Sequence, residues 1–181
     1  MISPLGGVQK RLRRIIVSVQ VLFLFRSRRY KDAERLVRKY LVFSERDSFY
    51  HEWLAKTLWK QDRLSEAIQE YRVTIGLQPA AFFMDRFDLI ELLFEAQQYE
   101  EVIAECQKYF DPRFHKVTFL NRHLCEYGAY RGMARAYMAL HDYKRAKEAW
   151  THLLPYYKRG RTHAELLHAI SVCENELRSQ G

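Results

Sequence analysis

The sequence is short of the residues that bend chains. Glycine and proline number 7 and 4 in 181 positions. Sheet proteins need far more turn residues, so long helices joined by short links are expected. Cysteine is scarce too: Cys106, Cys125 and Cys173 are odd in number, far apart, and form no C-x-x-C pair. A disulfide framework is therefore not expected, and the cytoplasm or another reducing compartment is the default. Each thiol should fill a helix face as a small apolar group. Phosphate-loop, GxGxxG, H-E-x-x-H and G-x-S-x-G motifs are missing. Neither His163 with His168 nor His123 with Cys125 has the i,i+4 spacing of paired ligands on one helix face. No catalytic residue, metal or cofactor is implied, and the expected class is non-enzymatic.

What is present is apolar bulk and uneven charge. Apolar residues make up 48% of the chain, enough for a substantial core. The formal net charge is +8. Residues 1–40 hold 11 Lys/Arg against Asp32 and Glu34, while the rest hold 19 against 20. The surplus is a basic N-terminal surface built from Lys10, Arg11, Arg13, Arg14, Arg26, Arg28 and Arg29. Between these cations runs Ile15 to Phe25 (IIVSVQVLFLF). As a helix those residues rise about 16 Å, short of the roughly 30 Å hydrocarbon core. The basic-then-apolar order suits a signal peptide, but no small-residue cleavage site follows.

Three short strings align: Arg29-Tyr-Lys-Asp-Ala33, Arg63-Leu-Ser-Glu-Ala67 and Asp142-Tyr-Lys-Arg-Ala146. A fourth, Gln98-Tyr-Glu-Glu-Val102, ends in Val. The ends of these strings fall 34, 35 and 44 residues apart. In the second unit Leu54, Ala55 and Leu58 precede Ala67, Tyr71 and Pro79; in the fourth, Tyr130, Met133, Ala134 and Tyr137 precede Ala146 and Trp150. The third keeps Leu89, Leu93 and Tyr99, and the first keeps Val17, Val21, Leu24, Ala33 and Val37. Pro79, Pro112 and Pro155 each follow a second helix, and Asp62 and Asp142 are candidate N-caps.

In period and pattern the chain resembles the tetratricopeptide repeat (TPR) family over roughly residues 14–157. The resemblance implies an all-α, antiparallel helix-pair solenoid in a single domain, residues 1–181. About four TPR-like units would cover 8–46, 47–80, 81–114 and 115–158. His115 to Tyr127 would extend a first helix, and an amphipathic capping helix over 161–178 would use Leu166, Leu167, Ile170, Cys173 and Leu177. Register places 14–27 as the first helix of the first unit, expected to be buried. A membrane-surface helix is the alternative, because apolar residues go nearly all round it between arginines.

The resemblance also implies where a partner would bind. First helices line the concave side in that family and commonly hold extended or helical peptides. On this sequence the groove residues would be Phe49, Lys56, Trp59 and Lys60 from the second unit. The third supplies Met84, Phe87, Glu91 and Phe94, and the fourth Arg131, Arg135 and Met138. Aromatics and arginine suggest a peptide with apolar and acidic side chains. The alternative is that the N-terminal segment or the last helix folds over these residues. The carboxylate clamp of chaperone-binding members is absent, since Glu52 and Lys56 stand at its best position.

The expected function is thus a protein-protein interaction scaffold or adaptor, within a larger complex. Peripheral membrane attachment through the N-terminal helix is a second reading, and homo-oligomers are compatible with either. Nucleic-acid binding is a third, opposed by the confinement of the basic cluster to residues 10–39 and by the absence of a recognition motif.

Overall fold

The structure is a computed structural model. It describes residues 4–77, 83–110 and 119–180, with side chains for 7–77, 85–110 and 125–180. Among them the ordered elements are helical, in two compact units, residues 1–85 and 86–181. In the first, α1 (Pro4–Arg26) pairs with α2 (Tyr30–Leu41), and α3 (Ser48–Trp59) with α4 (Leu64–Leu77). α5 (Phe83–Glu95) leads into the second unit, which holds α6 (Tyr99–Gln107), α7 (Phe119–Ala139), α8 (Tyr143–Thr151) and α9 (Arg161–Ser179). α6 packs on α7, α7 on α8, and α8 on α9. The fold class is the expected one, a TPR-like array of helix pairs with a further helix after the last.

The repeat is most exact in its turns. Each link between a first and a second helix places one non-glycine residue at positive φ: Arg28 (54°), Asp62 (60°), Gln97 (58°) and His141 (58°). In each turn the next residue donates its N–H to the carbonyl five positions back: Arg29 to Leu24, Arg63 to Leu58, Gln98 to Leu93 and Asp142 to Tyr137, at 2.8–3.1 Å. Each left-handed residue donates three back, as Asp62 does to Trp59 at 3.0 Å. This is the Schellman arrangement, which satisfies carbonyls at a helix C-terminus. The second helix opens at once, with Ala33, Ala67, Val102 and Ala146 each donating four positions back. The aligned strings therefore mark the point where the second helix begins.

The N-cap expectation divides. Asp142 accepts the Arg145 N–H at 3.1 Å and caps α8. Asp62 instead occupies the left-handed turn position. Pro79, Pro112 and His115 lie outside the described residues, while α7 extends toward the N-terminus as expected, from Phe119.

The core follows the pattern. Leu54, Ala55, Leu58, Ala67 and Tyr71 are buried in the first unit, and Leu89, Leu93, Val102, Met133, Ala134 and Ala146 in the second. Cys106, Cys125 and Cys173 are free thiols, all buried. Two glycines missed by the motif reading set the packing of α7. A Cβ on Gly128 would meet Phe87 Cε1 at 1.8 Å, and one on Gly132 would meet Cys106 Sγ at 2.7 Å.

Two burial expectations are corrected. α9 buries Leu166 and Cys173 and half-buries Ile170 and Leu177, but Leu167 is 47% exposed, because it lies off the face that meets α8. The first helix is longer than expected and, among the described residues, packs by one face. Val17, Val21, Ala33 and Val37 are fully buried between α1 and α2. Val8, Leu12, Ile15, Ile16, Val19, Leu22 and Phe23 face out at 45–66% exposure. No helix among the described residues is long and apolar enough to cross a membrane.

Candidate functional site

In the first unit the expected groove residues sit on and just after α3. Asp47 starts that helix by accepting the Phe49 N–H at 3.3 Å. The same carboxylate, with its side chain 2% exposed, holds Lys10 Nζ at 3.2 Å and Arg14 by a two-pronged ion pair. Burial alone would raise its pKa, but the hydrogen bonds from Arg14 and Lys10 outweigh this and hold it below the usual carboxylate range. Arg14 therefore lies over the Phe49 ring, 5.4 Å from its centroid. Phe25 packs edge-on to Trp53 at 5.9 Å. The N-terminal helix thus lies against one side of Phe49, which is half-buried.

Lys56 and Trp59 are half-buried like Phe49, and Lys60 is exposed. Lys56 pairs with Glu52 and lies 5.7 Å from the Trp53 ring centroid. Trp59 is half-buried, with Lys60 Nζ 6.0 Å from its ring centroid. His51, standing where the family has Trp, bridges Glu70 (2.6 Å) and the Glu45 carbonyl (2.8 Å). The Glu70 hydrogen bond raises its pKa.

In the second unit the structure brings three predicted residues together. Arg135 on α7 donates through Nη1 to both Glu91 carboxylate oxygens, at 2.6 and 2.9 Å. Its guanidinium lies 4.1 Å from the Phe94 ring centroid. Arg135 is therefore occupied, in a partly exposed pair worth about 1 kcal/mol or less. One turn earlier, Arg131 is exposed, with no ion-pair partner among the described residues. Phe87 stacks on Tyr109 at 5.2 Å and fills the space left by Gly128. Met138 Sδ accepts the Trp150 indole N–H at 3.4 Å. Those two side chains serve packing within the unit, and the Met84 side chain lies outside the described residues. Sequence reasoning missed Arg14 and Gly128 as neighbours of predicted residues, and did not pair Glu91 with Arg135. Only Gly128 carried a signal, as a glycine inside a helical pattern.

The basic surface also divides. Lys10 and Arg14 are tied to Asp47, and Arg29 to Asp32 at 2.8 Å. Arg11, Arg13, Arg26 and Arg28 are exposed, without an acidic partner among the described residues. On α2, Glu34 accepts from Gln61 (2.9 Å), Arg38 (2.9 Å) and Arg63 (2.7 Å). Burial opposes ionisation there, yet these three bonds lower its pKa.

No family model and no curated protein matches the sequence. Solved structures do match in fold. MamA from Desulfovibrio magneticus RS-1 is 14% identical, with 92% of this chain and 96% of that one covered at TM-score 0.61. The nearly identical TPR-like repeats of a Podosopora anserina kinesin light chain protein are 11% identical, covering 92% and 87% at TM-score 0.68. A chain of the Naa15/Naa10 structure bound to HypK-THB is 16% identical, covering 97% of this chain and 25% of that one at TM-score 0.62. At these identities the likeness establishes the TPR-like fold alone.

Proposed function

We propose that this chain is a non-catalytic interaction module, an adaptor that takes a partner peptide or subunit on the faces of its first helices. The observation that carries the reading is the α5–α7 cluster. A half-buried Phe94 lies under a guanidinium held by a weak, partly exposed ion pair, with the exposed Arg131, which has no ion-pair partner among the described residues, one turn away. Aromatic and arginine side chains in such settings are the residues on which binding energy concentrates. The partner would present an acidic group beside apolar side chains. Trp59 and Lys60 offer the same pairing of aromatic ring and cation on the first unit. The Naa15/Naa10 structure, solved with HypK-THB bound, supports protein as the partner class. Buried free thiols suit a reducing compartment.

The test is affinity capture from the native source with wild type and with Trp59→Ala/Arg131→Glu. Proteins held by wild type and lost by the variant, with helicity and melting unchanged, support the reading. An unchanged set of captured proteins puts binding off the first-helix faces.

A further inference from the structure

The outward face of α1 is an apolar stripe with nothing packed on it among the described residues. At ~100° per residue its exposed side chains span about 120° of the helix, opposite buried Val17 and Val21. From Val8 to Phe23 the stripe runs about 22 Å at 1.5 Å per residue. Seven large apolar groups together exceed the few hundred Å² that water-exposed surfaces ordinarily carry.

The rim says what the stripe meets. α1 contains no acidic residue. Arg11 and Arg13 stand near one end and Arg26 and Arg28 near the other, all four exposed and without an acidic partner among the described residues. Beside the stripe, α1 and α2 enclose an open cleft of about 620 Å³. Val19, Phe23 and Leu36 line it; its charged groups are Lys39 and Asp32, the latter paired with Arg29 at 2.8 Å and Arg35 at 3.5 Å, a net positive set. Apolar surface with an adjoining cationic rim matches acyl chains below anionic phosphate.

A second copy fits poorly, because two such helices would bring arginines together with no carboxylate on either α1 to receive them. A single partner helix takes a two-row seam flanked by charges of mixed sign. Here Ile15 and Leu22 form one row, Leu12 and Val19 a second, and Ile16 and Phe23 a third, and the charges on α1 itself are all positive.

We infer that α1 is a membrane-surface helix, which lays its outward stripe into an anionic phospholipid interface while its inner face stays on α2. Helices of this kind lie in the interface plane by burying one face, with basic residues drawn to anionic lipid.

The experiment is flotation of the full chain with vesicles of phosphatidylcholine alone, or with one-third phosphatidylglycerol, at low and high salt. Wild type should float with the anionic vesicles and be released by salt. Ile15→Glu/Val19→Glu should cut the partition by at least ~10-fold, because it puts charge into the buried stripe. Arg11→Ser/Arg26→Ser should cut it about 25-fold, at roughly fivefold per cation near the surface. Should the glutamate variant lose helicity, the arginine variant carries the test, since neither side chain is buried. Failure to float at low salt, or equal flotation of a folded variant, overturns the proposal. So does a doubled mass by light scattering without flotation, which assigns the stripe to a second copy.

Discussion

Gly128→Ala tests whether Phe87 is a packing residue. The added Cβ would fall 1.8 Å from Phe87 Cε1, 2.2 Å from Cζ and 3.0 Å from Cδ1. Ordinary carbon contacts begin near 3.4 Å, so the ring must retreat by more than an ångström. Its other side is occupied: Tyr109, 9% exposed, stacks on it with 5.2 Å between centroids. Overpacking of this kind costs about 1–3 kcal/mol, and the blocked retreat puts the cost at the upper end. Replacing a mid-helix glycine by alanine returns about 1 kcal/mol of helix propensity. The net loss should be about 2 kcal/mol, or roughly 4–8 °C in melting temperature for a chain of this length. Circular dichroism at 222 nm in thermal and urea melts measures it. Phe87→Leu in the Gly128→Ala background should recover most of the loss, since the shorter side chain vacates the collision. The control is Gly76→Ala, where a Cβ meets nothing within 4 Å and stability should rise by up to about 1 kcal/mol. A Gly128→Ala protein as stable as wild type would refute the close approach and return Phe87 to the candidate groove residues.

The turns give the next prediction. Gln97 holds φ 58° with a side chain, which costs about 1–2 kcal/mol, against roughly 0.5–1 kcal/mol of extra chain entropy for glycine. Gln97→Gly should therefore stabilise by up to about 1 kcal/mol in a urea melt, and a loss of stability would contradict the shared turn. Acid and base should act with opposite sign. Asp47 and Glu34 have folded pKa values below their unfolded ones, so their contribution is complete above the ordinary carboxylate range and disappears as pH falls through the folded values. Asp47→Asn should flatten the acid limb of the stability–pH curve; an unchanged limb would contradict the coupling. His51 is raised, so its contribution is complete below the ordinary histidine value near 6.5 and is lost as pH climbs through the folded one. His51→Gln should remove that alkaline decline, and an unaltered decline would place its source elsewhere. Burial pushes the Cys106 thiol up to about 12 and Cys125 up to about 11. Thiol reagent at pH 8 should label neither in the folded chain and both in denaturant, and fast native labelling would show that the helices around them open readily.

The repeats were legible because their strings carry the start of the second helix, a position fixed by backbone bonds that recur at Arg29, Arg63, Gln98 and Asp142. The turns themselves were not, because the left-handed position is filled by Arg, Asp, Gln and His, where a glycine would have announced it. Periodicity identified residues on the first-helix faces but not what lies against each one. Arg135 and Phe94 meet through a contact 41 positions apart in the chain, and the Glu91 partnership spans 44, so no local pattern reports either. The same blindness produced the error at α1. A helix apolar nearly all round reads as buried when its two sides are not separated, yet one side holds Val17 and Val21 at zero exposure and the other is open.

The two faces of α1 are held to different standards, and the contrast with α9 makes this informative. α9 packs on α8 through Leu166 and Cys173, and its exposed positions include Glu165, His168, Glu176 and Arg178, with Leu167 as the apolar exception. That is the composition of a helix whose outer side meets water. α1 packs on α2 through two valines and is pinned by Lys10 and Arg14 on Asp47, the same carboxylate that caps α3. Those two cations and Arg29 are used within the fold, which leaves Arg11, Arg13, Arg26 and Arg28 as the outward positive charge. Attachment by ion pairs on the inner side leaves the outer side free to be apolar without loss of register. The positive charge on α1 and the turn after it thus has two main parts: Lys10 and Arg14 fix the helix to the repeat, and Arg11, Arg13, Arg26 and Arg28 border the stripe that the helix presents.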